Sequence, residues 1–381
     1  YHRIVILDDG KTRFLLISSE VCLFSPAYYD RVSSRIRKLF GIHPTNFWWT
    51  VTHTHSAPRI APQLAGISFP SMAKRANLTD QYAVDTSYTV FFEQKLIEGI
   101  MDAQKKLAPA SLGVGWGFSQ ANINRRAIDI DGKASIGLNP DGAVDRRIGL
   151  LKINKADGIP LVCIANYPIH GTVMGRENQL ISGDAPGVVA QYFENKSGVP
   201  LLFINGAAGN LAPIYSVYPN HRAGHLSQFG VLLGDKILKA FHDVLNTTAN
   251  ISLYADEITV ETPMRSDLKF PKILMNYVRT TDSDTELVKI PIRFLKINED
   301  VAIWGAPVEL FCEISNEIRD LSPFAFTFYF GYTNGWMGYL TTKNAYTEEG
   351  YEPNVSPFKP NVASDLTESV VAQLKGKLLA K

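Results

Sequence analysis

The sequence has little cysteine, little net charge and no long apolar run. Its 381 residues include three cysteines, and 38 basic against 37 acidic residues leave a formal net charge of +1. Cys22, Cys163 and Cys312 lie far apart in apolar contexts. An odd count without CxxC spacing argues against a disulfide framework and a cysteine metal site, so we expect all three in the core. The balanced charge gives no field that would attract nucleic acid.

The apolar stretches are too short to cross a bilayer. The longest, such as residues 150–153 and 161–165, have the length of a β-strand, so the sequence predicts no transmembrane segment. The chain opens on Tyr1 and a strand-like segment without an initiator Met or a signal peptide, so we expect upstream residues to be missing. No GxSxG elbow occurs, which argues against a serine hydrolase of the α/β-hydrolase class.

Short β-rich segments alternate with amphipathic helical segments, which indicates an α/β or mixed α+β fold. Strands are predicted at residues 3–7, 14–18, 47–52, 148–153, 161–166, 201–204, 251–261, 288–297 and 327–330. Helices are predicted at residues 27–40, 88–107, 185–195, 227–245 and 363–379, with Asp184 as the N-cap of the third. We expect one domain over residues 1–381, with its weakest joint at the polar residues 246–250.

The sequence THTHSAP at residues 52–58 follows the aromatic and β-branched run FWWTVT. Because side chains alternate faces along a strand, His53 and His55 are predicted on one face, with room for one ion or one substrate beside them. A hydrogen-bonded histidine pair at a strand end is the alternative.

Three further motifs place a single candidate residue near the end of an element. His170 in PIHGTVM follows a predicted strand, as a ligand or as a capping or core histidine. Asp184 in ISGDAPG begins a helix, and helix capping alone accounts for it. Glu309 in APVELF is predicted to open a helix, whose dipole favours a glutamate in the first turn.

Two loops complete the set of motifs. GAAGNLAP at residues 206–213 has small residues whose backbone N–H groups can approach a ligand closely, although tight chain packing explains them equally. It lacks the Walker lysine and the GxGxxG spacing of nucleotide sites. Residues 331–353 are rich in tyrosine and glycine and include Tyr339, Tyr346 and Tyr351, for which a solvated aromatic loop is the alternative.

Taken in chain order, with PIHGTVM and ISGDAPG counted as one, the five motifs resemble those of the neutral, non-lysosomal ceramidases. The family patterns are THTHSGP, a histidine followed by a SGD or NSD helix start, GDxSP, PGE and YxTTxxxYxxxxYE. Asn124 and Arg125 in ANINRR also resemble a family Asn-Arg stretch, and the resemblance covers nearly the whole chain from Tyr1. It implies a mixed α/β catalytic domain that binds zinc and hydrolyses an amide bond in an N-acyl sphingolipid or a related N-acyl compound.

By this resemblance the zinc ligands are His53, His170, Glu309 and Tyr339. Imidazole and carboxylate groups are ordinary zinc ligands, and Zn²⁺ lowers the pKa of a bound water toward about 7. The resemblance further implies three catalytic residues: His55 in substrate binding or proton transfer, Tyr351 near the developing oxyanion, and Arg125 in orienting polar groups of the substrate. The same donors suit other divalent ions.

Three positions depart from the family patterns. Asn210 and Ala212 stand where GDxSP has Asp and Ser, and Ala57 stands where THTHSGP has Gly. Alanine cannot donate a hydrogen bond or act as a nucleophile, whereas a metal-bound hydroxide can still perform the attack, and ceramide itself stays open as the substrate. The family's C-terminal immunoglobulin-like domain is also expected to be absent.

A ligand-binding protein without turnover is the alternative function, and Asn210 and Ala212 favour it. The implied partners are a small-molecule or lipid amide substrate and a peripheral membrane contact, with no nucleic acid. Resemblance to exported enzymes implies a secreted, periplasmic or cell-surface location.

Overall fold

The computed structural model describes residues 1–60, 86–175, 178–216, 225–268, 270 and 272–380. The fold is a mixed α/β arrangement in which short sheets and helices alternate along the chain, which confirms the predicted class. In these described ranges, no helix combines the length and the apolar character needed to span a bilayer.

The strands are numbered in chain order. Their bounds are β1 His2–Asp8, β2 Arg13–Ser19, β3 Phe47–Val51, β4 Ala110–Phe118, β5 Asn122–Ile128, β6 Ala134–Asn139, β7 Arg147–Lys155, β8 Pro160–Tyr167, β9 Leu201–Asn205, β10 Leu211–Pro213, β11 Leu253–Pro263, β12 Val278–Thr280, β13 Glu286–Ile297, β14 Val301–Gly305, β15 Glu309–Leu310, β16 Phe326–Phe330 and β17 Tyr339–Leu340.

The helices are numbered in the same way. Their bounds are α1 Pro26–Phe40, α2 Thr86–Lys105, α3 Asp184–Ser197, α4 Asp235–Asp243, α5 Cys312–Leu321, α6 Lys343–Glu348, α7 Tyr351–Val355 and α8 Val362–Gln373. Short 3₁₀ turns cover Pro44–Asn46, His225–Gln228 and Lys272–Tyr277, and π-helical turns cover Gly230–Gly234 and Leu374–Leu378.

Three sheets form the body of the molecule, with strand orders β1-β2-β3, β4-β7-β8-β9 and β11-β13-β14-β16. Each contains one parallel pair: β2 with β3, β8 with β9, and β14 with β16. The segments that follow the carboxyl ends of these pairs contain His53, His170, Glu309 and Tyr332. Loops at the carboxyl ends of parallel strands are the usual place for a ligand site in such sheets.

Apolar side chains from the three sheets share a core. Trp48 of β3, Leu202 of β9 and Ile303 of β14 are all buried in one cluster. Helix α1 covers the first sheet; Ser25 caps it by accepting a hydrogen bond from the Tyr28 N–H, and Gly41 ends it with a left-handed φ of 70°. The strands of the three parallel pairs are therefore anchored in a shared apolar core.

Three predictions about helices are wrong. Residues 227–245 do not form one helix: Gly230 and Gly234 pack so tightly on the Tyr192 ring that an added Cβ would lie 2.7 Å from it, and a π-helical turn precedes α4. The terminal helix ends its regular part at Gln373, because Gly376 is non-helical. Glu309 does not open a helix but lies in β15, two residues before the N-cap of α5.

Candidate metal centre

His53 lies just beyond the end of β3, in a left-handed conformation with φ of 62°. Its Nδ1 lies 3.0 Å from the Cys22 carbonyl oxygen, which can only accept, so this nitrogen donates its proton there. The expectation that strand alternation orients His53 and His55 is wrong, because the strand stops at Val51. The turn brings the two Nε2 atoms to 3.2 Å by a different route.

His170 reaches the same place through a contact between two loops. Thr54 forms an isolated parallel bridge with Gly171, and the His55 N–H donates to the Gly171 carbonyl at 2.9 Å. A Cβ at Gly171 would lie 2.7 Å from the His53 carbonyl oxygen, so only glycine permits this approach. The Nδ1 of His170 donates to the Leu211 carbonyl at 2.9 Å.

Glu309 and Tyr339 are direct cross-strand partners in the two-stranded parallel pair β15-β17. The Glu309 N–H donates to the Gly338 carbonyl at 3.0 Å, which fixes the register. Both side chains are buried, with 3% and 4% of their surface exposed. Two candidate ligands thirty positions apart in sequence therefore meet through sheet pairing, as a consequence of β14 and β16 running side by side.

Three acceptor atoms converge at the centre. The Glu309 Oε2 lies 3.5 Å from the His53 Nε2 and 3.2 Å from the His170 Nε2, and this oxygen has no hydrogen-bond partner in the described structure. Because each Nδ1 donates to a carbonyl, each Nε2 of a neutral imidazole presents a lone pair. The Arg125 guanidinium and the His55 ring lie beside these two nitrogens, but no group among the described residues donates to the Glu309 Oε2 that faces both of them, so this donor set fits a divalent metal.

The ionisation of the cluster agrees with this assignment. Burial lowers the pKa of His53 to about 4, against the opposing effect of the Glu309 carboxylate. Burial and then the Arg125 guanidinium lower the pKa of His170. Burial alone would raise the pKa of Glu309, but His53 and His170 outweigh it and bring that pKa to about 2. At neutral pH the cluster is two neutral imidazoles and one carboxylate.

Arg125, on β5, connects the cluster to the tyrosine-rich segment. Its Nη1 lies 3.0 Å from the His170 Nε2, its Nη2 donates to the Tyr339 hydroxyl at 3.1 Å, and its Nε donates to Glu352 at 2.8 Å. The neighbouring Arg126 donates to the other Glu352 oxygen at 2.7 Å. One buried carboxylate thus holds two arginines, and the Arg125 cation lies within the candidate site.

His55 and Tyr351 lie on the outer side of the centre. His55 is exposed, and 40% of the Tyr351 surface is exposed, with its ring 5.7 Å from that of Tyr339. The structure therefore brings all seven predicted site residues into one region. Their individual roles stay predictions.

Sequence reasoning missed two residues of this region. The Tyr332 ring stacks on the His53 imidazole at 4.5 Å with an interplanar angle of 18°. Glu352 directly follows Tyr351, and the adjacent pair Arg125 and Arg126 could have suggested a shared carboxylate. Nothing in the local sequence indicates the stacking, because Tyr332 is far from His53 along the chain.

The three cysteines were all expected in the core. Cys163 and Cys312 are buried, whereas Cys22 is only partly buried and lies beside His53.

The prediction that Asp184 caps a helix is wrong. Gly183 is the N-cap position of α3, while Asp184 has a left-handed φ of 53° and its carboxylate accepts from the N–H groups of Val173 and Met174, both at 3.0 Å. Asp184 therefore fixes the loop after His170.

Tight packing accounts for the GAAG segment. The Gly209 N–H donates to the Leu310 carbonyl, and a Cβ at Gly209 would lie 2.8 Å from the Glu309 carbonyl oxygen.

Ala212 lies in β10, the strand that pairs with β5, and Asn210 directly precedes β10. The side-chain amide of Asn210 donates to Glu313 at 2.7 Å and accepts from the Cys312 N–H at 3.0 Å. The backbone carbonyl of Asn210 accepts from the Arg125 N–H. An aspartate at this position would face the Glu313 carboxylate without a proton between them, so Asn210 suits this neighbour. Ala212 is buried and offers no hydroxyl.

Comparison with known proteins gives consistent matches. The sequence model of a family described as "Neutral/alkaline non-lysosomal ceramidase, N-terminal" matches residues 1–202. Among curated relatives, neutral ceramidase B of Dictyostelium discoideum is 26% identical over 242 residues, 58% of this chain and 30% of that protein. Neutral ceramidase of Pseudomonas aeruginosa is 27% identical over 234 residues, 57% of this chain and 32% of that protein. The aligned region thus spans about a third of these relatives.

Two solved structures share the fold. One, described as a ceramidase complexed with C2, has a TM-score of 0.73 at 18% identity and matches 97% of this chain and 68% of that one. The crystal structure of neutral ceramidase from Pseudomonas aeruginosa has a TM-score of 0.74 at 20% identity and matches 97% of this chain and 67% of that one. At these identities the likeness establishes the fold.

Proposed function

This chain belongs to the neutral/alkaline non-lysosomal ceramidase family, and from this premise we propose that it is a metal-dependent hydrolase of an amide bond in an N-acyl sphingolipid or a related N-acyl compound. The observation that supports the proposal most directly is the convergence of His53, His170 and Glu309, whose three ligand atoms lie within 4.8 Å of one another and include a Glu309 oxygen without a donor. The names of the relatives support an amide of the ceramide type as the substrate class.

The ion is proposed to be Zn²⁺, held by His53, His170 and Glu309 with Tyr339 as the fourth ligand. When bound, such an ion polarises a carbonyl and lowers the pKa of a coordinated water. Tyr339 is proposed because it is the cross-strand partner of Glu309, and its buried hydroxyl already accepts from Arg125.

Arg125 is proposed to bind and orient the substrate carbonyl. Burial opposes its charge, but Tyr339, Glu352 and Glu309 outweigh burial and raise the pKa of the guanidinium, so it stays cationic. A fixed, buried cation stabilises negative charge on an oxygen beside it more than an exposed one does. Glu352 keeps the guanidinium in place.

His55 and Tyr351 are proposed to act from the exposed side. The His55 Nε2 lies 3.2 Å from the His53 Nε2, within hydrogen-bond reach of a group bound at the centre, so His55 can accept or return a proton there. Tyr351 is exposed enough to contact an incoming substrate through its hydroxyl. Ala212 has no hydroxyl, so no side-chain nucleophile acts at that position.

Contact with a lipid surface is proposed for the loop that follows His170. Leu180 and Ile181 are 71% and 79% exposed, and the carbonyl of the adjacent Ser182 accepts from the Thr54 hydroxyl at 2.7 Å. This hydrogen bond ties two exposed apolar side chains to the backbone between His53 and His55. Such a site favours a substrate delivered from a membrane surface.

The test combines metal analysis with hydrolysis. The purified chain is expected to contain one divalent ion per molecule and to hydrolyse at least one member of a panel of N-acyl sphingolipids and simpler N-acyl compounds, with the rate lost on chelation and restored by Zn²⁺. His53→Asn should lose the ion and the activity, while the matched control His242→Asn, at an exposed helical position, should keep both. Full activity in metal-free protein, or binding without turnover across the panel, would overturn the proposal.

A further inference from the structure

Cys22 lies beside the candidate metal centre and has no part in the proposed reaction. Its Sγ lies 3.8 Å from the His53 Nδ1, the nitrogen that donates to the Cys22 carbonyl oxygen. The other nitrogen of the same ring, the His53 Nε2, lies 3.2 Å from the His55 Nε2. One imidazole therefore has a thiol beside one of its nitrogens and a second imidazole beside the other.

These three side chains form a second set of metal ligands. Cys22, His53 and His55, called here the thiol set, each offer one ligand atom, and the three atoms lie within 4.8 Å of one another. His53, His170 and Glu309, called the carboxylate set, meet the same distance. Cysteine spacing along the chain does not indicate the thiol set, because its members meet only where the segments after β2 and β3 come together.

The thiol set is the more exposed of the two. Cys22 is partly exposed and His55 is exposed, whereas His170 and Glu309 are 1% and 3% exposed. A cation in solution can therefore approach the thiol set at two of its three members, and the exposed His55 side chain is free to adjust to it.

The two sets favour different ions. The thiol set combines one sulfur with two nitrogens, whereas the carboxylate set combines one oxygen with two nitrogens. Sulfur is a soft ligand that selects soft ions, and carboxylate oxygen suits harder ones. Since Cd²⁺ is softer than Zn²⁺, it gains more from a site that contains a thiolate.

His53 belongs to both sets, so they cannot be filled together. A neutral imidazole carries one proton and one lone pair, and it therefore coordinates one ion at a time, whichever nitrogen is used. Two divalent cations separated by a single ring would also repel each other. An ion held by Cys22 and His53 thus leaves the carboxylate set without one of its ligands.

We propose that Cys22, His53 and His55 form a site for a sulfur-preferring cation such as Cd²⁺, and that an ion bound there takes His53 away from the catalytic ion. On binding, the Cys22 thiol releases its proton to solvent and a sulfur–metal bond forms, with no change in oxidation state. The binding stands by itself; its consequence, inhibition of hydrolysis by such cations, rests on the proposed function.

The test is titration of the intact, metal-free chain with CdCl₂ near neutral pH, followed by the ultraviolet absorption of the cadmium–thiolate bond. The absorption should rise and saturate at one Cd²⁺ per molecule. Cys22→Ser should abolish it, and Cys22→Ala carries the test if Cys22→Ser does not fold. The matched control is Cys312→Ser, the same change at a fully buried thiol, which should keep the absorption.

Two histidine variants separate the thiol set from the carboxylate set. His53→Asn should weaken Cd²⁺ binding, measured by the same absorption, about tenfold, whereas His170→Asn should retain wild-type binding because His170 belongs to the carboxylate set alone. No saturable absorption in the wild type, unchanged absorption without the Cys22 thiol, or unchanged affinity in folded His53→Asn would overturn the proposal.

Hydrolysis by the zinc-loaded protein measures the consequence. Half-inhibition of Cys22→Ser should require about tenfold more Cd²⁺ than half-inhibition of the wild type, each rate being taken relative to the same protein without Cd²⁺. Equal sensitivity of the two proteins would show that the thiol site does not compete for His53. Cadmium–thiolate absorption in a chain that hydrolyses nothing would contradict the proposed function and support the site.

Discussion

Asp184, at the start of helix α3, and Glu309, in strand β15, are two buried carboxylates with opposite surroundings. Asp184 is fully buried and accepts from the backbone N–H groups of Val173, Met174 and Ala185. Glu309 is 3% exposed, and its Oε2 faces two imidazole nitrogens without any donor. The Asp184 carboxylate is satisfied by the chain itself, whereas the Oε2 of Glu309 is not.

The difference separates a residue that maintains the fold from one that can bind a ligand. Burial raises the pKa of Asp184 even though three N–H groups donate to it, whereas neighbouring imidazoles bring the pKa of Glu309 to about 2. A buried acceptor without a donor is expensive in the absence of an ion. Two buried imidazoles differ in the same way. The two ring nitrogens of His2 form hydrogen bonds with the Ser19 hydroxyl and the Phe92 carbonyl, whereas the His53 Nε2 faces the Glu309 carboxylate.

The largest effect is expected for Glu309→Gln. The amide removes the negative charge and points either a neutral oxygen or an N–H at the two imidazoles, so the variant should bind Zn²⁺ far more weakly. Hydrolysis by the proposed enzyme should fall on the order of 10³-fold. Elemental analysis and the rate on the best substrate measure the two losses.

Glu317→Gln is the matched control, because Glu317 is an exposed glutamate on helix α5. It should keep both metal and rate. A Glu309→Gln variant that retains a full equivalent of metal would mean that Glu309 is not a ligand, and the contrast with Asp184 would fail.

Asp184→Asn should have the reverse profile. The amide cannot accept from all three N–H groups, so we expect a loss of about 2 kcal/mol in the free energy of unfolding. The folded fraction should still bind metal, because Asp184 contacts no ligand atom. Chemical denaturation and metal content check the two statements, with Asp243→Asn, in an exposed i,i+4 pair with Lys239, as the control. Loss of metal from the folded Asp184→Asn protein would show that Asp184, like Glu309, is needed for metal binding.

The sequence predicts the members of the site better than their connections. His53 and His170 are recognisable because these histidines follow predicted strands, and Glu309 because its motif occurs in order with theirs. The partner of Asp184 is not recognisable: a local pattern suggests a helix cap, while the carboxylate binds backbone ten and eleven residues earlier. The register that pairs Glu309 with Tyr339 is likewise a product of sheet assembly.

Strands β4, β5 and β6 show the same limit in the fold, since none of them was predicted. In β4 the glycines have no side chain to produce an alternating pattern, and they are required by close packing. A Cβ at Gly113 would lie 2.4 Å from the Asn246 carbonyl oxygen, and one at Gly117 would lie 2.8 Å from the Ala240 Cβ. Strand β5 is polar because its arginines are satisfied by Glu352, which lies more than two hundred residues later in the chain. Such compensation is visible only in three dimensions.

His2 provides a smaller effect that depends on pH. Burial lowers the pKa of His2 to about 4, from an unfolded value near 6.5. Between these values the unfolded chain binds a proton that the native chain does not, so the free energy of unfolding falls as the pH drops through this window. The slope from this group is at most about 1.4 kcal/mol per pH unit. Denaturation of metal-free protein between pH 7 and 4 measures it.

His2→Asn should show a shallower decline than the wild type, while His242→Asn, at an exposed helical position, should follow the wild type. Parallel curves for all three proteins would show that His2 titrates alike in the folded and unfolded chain. The contrast between His2, whose two nitrogens have protein partners, and the histidines of the metal centre would then not be supported.

The smallest effect is expected at Tyr332, whose ring contacts the metal centre at His53. Its ring stacks on the imidazole, and loss of a group that orients a metal ligand costs about tenfold in metal affinity. Tyr332→Leu should therefore bind Zn²⁺ about tenfold more weakly, as measured by competition with a chelator. Tyr332→Phe retains the aromatic face and should match the wild type. If Tyr332→Phe binds Zn²⁺ as weakly as Tyr332→Leu, the Tyr332 hydroxyl rather than the stacked ring is what supports metal binding.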